Sequence, residues 1–129
     1  KNLRMEHVLI VHGDDGLDEI TISGSTTISE LKNYKINQYK ISPKDFGLAT
    51  ANLDEISAQT PEESLLLVRE AFSGEQSAVQ DMIALNAGAG LYIARQVESI
   101  ADGVELAFDL MNSGKAADKL AAYVRVSNN

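Results

Sequence analysis

The hydrophobic period changes once along the chain, near residue 60, and that switch dictates a two-part architecture. Before it, apolar residues come in short continuous or alternating runs, as in β-strands. After it they recur every third and fourth residue, as on one face of a helix. The run His7-Val8-Leu9-Ile10-Val11-His12 predicts a strand buried on both faces, because an unbroken aliphatic and β-branched stretch has no polar side to give to water. Glu19-Ile20-Thr21-Ile22-Ser23 alternates polar and apolar residues and predicts a half-buried strand, as does the stretch 26–31. Residues 36–41 predict a fourth strand, and Pro43 ends it in a loop or single helical turn.

Helical signals follow. Thr60-Pro61-Glu62-Glu63 has the spacing of a capping box, with Thr at the N-cap, Pro at the first helical position and Glu three residues after Thr. Leu65, Leu66, Val68, Ala71 and Phe72 continue at helical spacing until Gly74. A second helix is expected over 76–95, with Val79, Met82, Ile83, Asn86, Ala87, Gly90 and Leu91 on its recurring face. A third is expected over 100–112 and a last over 115–126, separated by Ser113-Gly114. Gly88 and Gly90 lie inside the second helix, where each costs about 1 kcal/mol relative to Ala. Close packing of another backbone against that small-residue face is the expected compensation. The stretch is not a dinucleotide fingerprint, since it follows no strand and lacks the third glycine.

Composition narrows the chemistry. The 129 residues carry a formal charge of -8, with 44% apolar residues and no cysteine. That apolar fraction is too high for a disordered acidic tail, and the missing cysteines remove disulfides, thiolate nucleophiles and Cys-zinc sites together. An acidic balance argues against nucleic-acid or anionic-membrane partners, which are met by basic faces. It leaves phosphate substrates open, because a carboxylate pair can hold Mg²⁺ and the metal can hold the phosphate. The apolar runs fall far short of the ~20 residues of a membrane span. With no secretory leader pattern either, a cytoplasmic location is expected. The chain begins at Lys1 and enters a strand core by Val8, as expected for a stretch cut from a longer protein.

The place most suited to chemistry is the loop after the first strand, where Asp14, Asp15, Asp18 and Glu19 put four carboxylates into six positions. Open α/β sheets bind ligands at the carboxyl ends of their strands. Adjacent Asp18 and Glu19 can offer oxygens to one hard cation and leave its other positions to water and phosphate. The acid–x–acid–x–acid–Gly order of an EF-hand is absent. A solvated turn, with Asp side chains bonding nearby backbone N–H groups, accounts for the same residues. His12, beside the loop, belongs to the residue type that exchanges protons near neutral pH, or it serves as a structural histidine. Ser23-Gly24-Ser25-Thr26-Thr27 offers hydroxyls and amides to an anion or forms a plain turn. Asn112-Ser113-Gly114-Lys115 lacks the earlier glycine and preceding strand of a phosphate loop, so a helix–helix turn is expected there. No Ser/His/Asp set has nucleophile-elbow spacing.

Val11-His12-Gly13-Asp14-Asp15-Gly16-Leu17-Asp18-Glu19 resembles the "VHG-x-DGLDE" stretch of anthranilate phosphoribosyltransferases. Further agreement comes in order: Gly24-x-Thr26 with Glu30-Leu31, then Pro43-x-Asp45-Phe46-Gly47-Leu48. Glu63, Leu66, Arg69 and Phe72-x-Gly74 resemble the family's next helix. Asn86-Ala87 with Ala89 and Leu91-Tyr92 resembles its "NAAAAL" helix, and Ser113-Gly114-Lys115-Ala116 its "SGKA". Gly88 and Gly90 stand where that helix has alanines. The resemblance covers essentially the whole chain, and the ordered set is more specific than any one motif.

The resemblance implies an α/β fold, part of the large domain shared by nucleoside phosphorylases and phosphoribosyltransferases. It implies that residues 1–129 are the carboxyl-terminal part of that domain. The amino-terminal helical domain, which forms a homodimer in the family, and the Gly-Thr-Gly-Gly-Asp diphosphate loop have no counterpart in this sequence. Asp18 and Glu19 match the acidic pair that coordinates Mg²⁺ bound to 5-phosphoribosyl 1-diphosphate (PRPP), while His12, Asp14 and Asp15 are expected only to shape the loop. The implied reaction transfers the 5-phosphoribosyl group to the anthranilate amine, in tryptophan biosynthesis, with diphosphate released. The 129 residues alone are expected to be inactive. The alternatives are a nucleoside phosphorylase of the same fold and a non-catalytic nucleic-acid-binding relative.

Overall fold

The computed structural model describes residues 5–128, so the opening residues 1–4 lie outside the described part. Three strands, β1 (His7–Gly13), β2 (Thr26–Lys32) and β3 (Lys35–Ile41), form an antiparallel sheet in the order β1-β2-β3. Short 3₁₀ turns at Pro43–Phe46 and Leu53–Glu55 lead to α1 (Pro61–Ala71), α2 (Ala78–Ile93), α3 (Ile100–Asn112) and α4 (Lys115–Ser127). Strands precede helices, as the change of period requires, and the class is α/β.

Two strand expectations need correction. β1 is not buried on both faces. Among the described residues it pairs only with β2, from His7 opposite Lys32 to Gly13 opposite Thr26, and Ile10 is 68% exposed. An unbroken aliphatic run permits two-sided burial but does not supply the second layer. The stretch 19–23 is not a strand either, although Ile20, Thr21 and Ile22 are buried. Alternation reports one-sided burial, and an extended segment held by other groups satisfies it equally well. Here the Thr21 N–H donates to Thr26 Oγ1 at 3.0 Å, and the Ile22 carbonyl accepts from the Ala51 N–H at 3.1 Å.

The β2–β3 connection is a two-residue hairpin at Asn33-Tyr34, both with positive φ (50° and 63°). That is the left-handed backbone which matches the twist of the flanking strands.

The cap expected at α1 is present. Thr60 Oγ1 accepts from the Glu63 N–H at 3.1 Å, while the Glu63 carboxylate reaches one residue further back than a standard box, to the Gln59 N–H at 2.7 Å. Ser77 and Ser99 cap α2 and α3 in the same way, accepting from the N–H groups of Gln80 and Asp102.

Helix α2 is the centre of the molecule. Ala84 and Leu85 are fully buried and pack in one cluster with Ile20, Ile22 and Ile28 on the sheet side and Val104, Ala107 and Met111 of α3. The α2–α3 crossing is as close as the glycine argument requires. A Cβ on Gly88 would lie 2.6 Å from the Val104 nitrogen, and one on Gly103 would overlap the Gly88 carbonyl. Gly90 faces open space, so close packing accounts for only one of the two glycines. The Gln80 amide joins three helices, donating to the Ala71 carbonyl at 2.9 Å and to Asn112 Oδ1 at 3.1 Å.

A second polar tie links the sheet to α2. Glu30, 8% exposed, accepts from Tyr92 at 2.9 Å and Tyr39 at 3.0 Å, and lies 2.8 Å from His7 Nε2. Burial raises the Glu30 carboxyl, but His7 and the two phenols outweigh it and hold it below the usual range. Among the described residues no helix is long and apolar enough to cross a membrane.

Candidate functional site

The acidic loop begins where β1 runs out at Gly13. Its backbone closes on itself, with the Gly13 N–H donating to the Leu17 carbonyl and the Gly16 N–H to the Gly13 carbonyl, both at 2.9 Å. Gly16 takes φ +95°, and a Cβ on Gly13 would strike the Asp15 carboxylate. The turn therefore requires glycine at 16, and a side chain at 13 would push Asp15 off its partners.

The four carboxylates divide by what they touch. Asp15 turns inward on its own loop, accepting from the Leu17 N–H at 3.1 Å, from Ser23 Oγ at 2.5 Å and from Thr21 Oγ1. Burial pushes its carboxyl up, yet the two hydroxyls and the backbone N–H prevail and keep it below the ordinary carboxylate value. Asp14 lies on Lys40 of β3, at 2.7 and 3.0 Å. Asp18 and Glu19 are exposed, and no ion pair among the described residues uses either. Two acids are thus occupied in holding the loop and two remain open to solvent.

Glu19 and Leu17 stand at one side of an open cleft of about 840 Å³ between the loop, the segment 53–60, α1 and α2. Leu53, Ile56, Leu67, Val68 and Met82 give it apolar walls, and Asn86 of α2 joins the lining beside Glu19. The Asn86 carboxamide accepts from the Ile20 N–H and donates to the Ile20 carbonyl, both at 2.9 Å, and donates again to the Met82 carbonyl at 3.0 Å.

These residues suit a hard cation held in part by protein. Mg²⁺ takes one or two carboxylates and fills its octahedron with water and phosphate oxygens. Consecutive, uncommitted Asp18 and Glu19 are such a donor set. Among the described residues no group of three or more His, Cys, Asp and Glu side chains could cage a metal, so a fully protein-held ion does not fit.

Other sequence candidates are placed differently. His12 is exposed opposite Thr27 and is not part of the cleft lining. The hydroxyls of Ser23 and Thr26 already serve Asp15 and the Thr21 N–H, which favours a turn over an anion site. Ser113-Gly114 is the α3–α4 turn, with Gly114 at φ +78°.

Sequence reasoning missed the role of Asn86, whose one visible signal is a polar residue at apolar spacing in the second helix. It also missed the cleft wall from Leu53 to Gln59, which has no periodic signal.

Comparison with known proteins places the chain in a family. The family model described as "Glycosyl transferase family, a/b domain" matches residues 1–117. The anthranilate phosphoribosyltransferase of Vesicomyosocius okutanii is 42% identical over 127 residues, covering 98% of this chain and 38% of that protein. The crystal structure of the Thermus thermophilus anthranilate phosphoribosyltransferase superposes with a TM-score of 0.83 at 35% identity, over 92% of this chain and 35% of its own. That of Saccharomyces cerevisiae, in complex with PRPP and Mg, gives a TM-score of 0.81 at 25% identity, over 95% and 36%. The chain therefore spans little more than a third of the relatives it matches. With the family model covering residues 1–117 and a solved relative superposing at a TM-score of 0.83, the chain belongs to the glycosyl transferase family, within its a/b domain.

Proposed function

We propose that the protein containing these residues is an anthranilate phosphoribosyltransferase, in which Asp18 and Glu19 bind the Mg²⁺ that accompanies PRPP. The observation that carries this reading is the division of the loop: Asp14 and Asp15 are bonded within the fold, whereas Asp18 and Glu19 are exposed without an ion pair among the described residues, and Glu19 lines the cleft. Residues 1–129 are then the carboxyl-terminal part of the α/β domain. The diphosphate loop, the anthranilate pocket and the helical domain that builds a homodimer belong to other parts of the protein. The similarity to relatives named for this activity supports the assignment.

In the proposed reaction the anthranilate nitrogen attacks C1 of the ribose, the C1–oxygen bond breaks, and diphosphate leaves with the electron pair while the new C–N centre loses a proton. Bound Mg²⁺ neutralises the charge that builds on the leaving group. This chain's part is to hold two carboxylate oxygens where that charge develops. No side-chain nucleophile is needed, and none of the loop residues is offered as one.

Loss of anthranilate fluorescence with PRPP and Mg²⁺ tests the reading in the full-length protein. Asp18→Asn with Glu19→Gln is expected to lower turnover about 100-fold or more, since metal-bound charge neutralisation is worth several kcal/mol. A folded full-length protein that is silent on anthranilate but cleaves nucleosides with phosphate would overturn the substrate assignment. Full turnover in the double variant would overturn the metal pair.

A further inference from the structure

We propose that Asn86 is a positioning residue for the acidic pair, acting through the backbone of Ile20 rather than touching metal or substrate. This inference rests on Asp18 and Glu19 being the metal-binding acids. The carboxamide meets both polar groups of one residue, accepting from the Ile20 N–H and donating to its carbonyl at 2.9 Å each. That is the bonding an adjacent strand would supply, and the segment 19–23 pairs with no strand among the described residues. One side chain, 66 residues away in sequence, takes the place of the missing ladder.

The Ile20 N–H belongs to the peptide group joining Glu19 to Ile20, so the Asn86 oxygen fixes the plane in which the Glu19 backbone ends. The second amide N–H donates to the Met82 carbonyl at 3.0 Å, one turn earlier on α2, and locks the side chain's orientation. Its support is rigid, because Gly88, two residues on, packs against the backbone of α3. Ile20 is 2% exposed and anchored in the core, whereas Glu19 is open to solvent. The clamp therefore stands at the boundary between the fixed and the solvent-facing parts of the loop. Side chains that orient metal ligands commonly change metal affinity or activity by about 10–100-fold when removed.

The test uses the full-length protein with Asn86→Ala and Asn86→Asp. The aspartate keeps the shape and the acceptor but loses both donors, and it adds a negative charge beside Glu19. Charge alone would strengthen Mg²⁺ binding, so weaker binding in Asn86→Asp reads lost geometry. The expected result is an increase of about tenfold in the Mg²⁺ concentration that half-saturates turnover, in both variants. In metal-free protein, amide hydrogen exchange at Ile20 should accelerate at least about tenfold while the amides of α3 stay unchanged.

Mg²⁺ dependence within twofold of the parent, or an unaltered Ile20 exchange rate, would overturn the proposal. So would tighter Mg²⁺ binding by Asn86→Asp. If Asp18→Asn with Glu19→Gln keeps the parent's turnover, the metal reading fails and this proposal with it. A silent pair variant beside Asn86→Ala and Asn86→Asp with the parent's Mg²⁺ dependence would refute the clamp alone.

Discussion

Asp15 shows how one acid of an acidic loop can be a folding element. Its carboxylate gathers two hydroxyls and a backbone N–H, and together they hold its titration below the ordinary value of 3.8. A carboxyl lowered by folding stabilises the native state above its unfolded value, and the stabilisation is lost as pH falls through the lowered folded value. The same sign applies to Glu30, whose ordinary value is 4.5. Replacing Asp15 with Asn should therefore destabilise the protein by about 1 kcal/mol near neutrality, a figure reduced for solvent screening at an exposed site. The gap between parent and variant should narrow as pH falls below the ordinary value of 3.8. Urea unfolding across that range checks it, and a gap that persists unchanged at pH 2 would mean that packing, not charge, carries the effect. The acids of this loop were visible in the sequence as a cluster, and their division into bonded and open pairs was not. That division is set by Thr21, Ser23 and Lys40, which the fold brings in from two other segments.

At the scale of elements, two glycines in one helix separate two physical effects. A methyl on Gly88 would press into the backbone of α3, whereas one on Gly90 would meet nothing within 4 Å. Gly88→Ala should cost about 3 kcal/mol through the forced separation of α2 and α3. Gly90→Ala should gain about 0.5–1 kcal/mol, because alanine restricts the unfolded chain and favours helix. Opposite movements of the urea midpoint are the expected result, and a destabilised Gly90→Ala would show that the open position has a use the fold does not reveal.

The helices were legible because their signals are local: Thr60 and Gly114 sit at the boundaries where the sequence put them. The strands were less so. Asn33-Tyr34 forms a hairpin without the glycine that usually announces one, and the alternation at 19–23 is satisfied by Asn86 and Thr26 in place of a neighbouring strand. Long-range partners decide both cases, and a local pattern does not contain them. The cleft escaped notice for the same reason, since its walls come from four segments.

On the proposed function, the molecule as a whole holds one side of a reaction. The acidic pair and clamp proposed above lie within residues 18–86, yet in the proposed reaction bringing an amine and a ribose carbon together in line requires groups that grip both substrates. Orientation of that kind contributes ~7 kcal/mol or more, and at 1.36 kcal/mol per tenfold this is a factor of about 10⁵ in rate. A polypeptide of residues 1–129 should therefore show no turnover above about 10⁻⁴ of the full-length protein, even with its acidic loop intact. Ile10, Leu66, Tyr123 and Val126 are each more than half exposed, so the assay belongs at low concentration, where apolar surface from separate elements does not drive association. Circular dichroism establishes that the polypeptide is helical, and anthranilate fluorescence then reads turnover beside the full-length protein. A folded but silent polypeptide is the expected result. Turnover within a hundredfold of the full-length protein would mean that these residues orient both substrates themselves, and the cleft of about 840 Å³ beside Glu19 would then be the place to seek the second binding site.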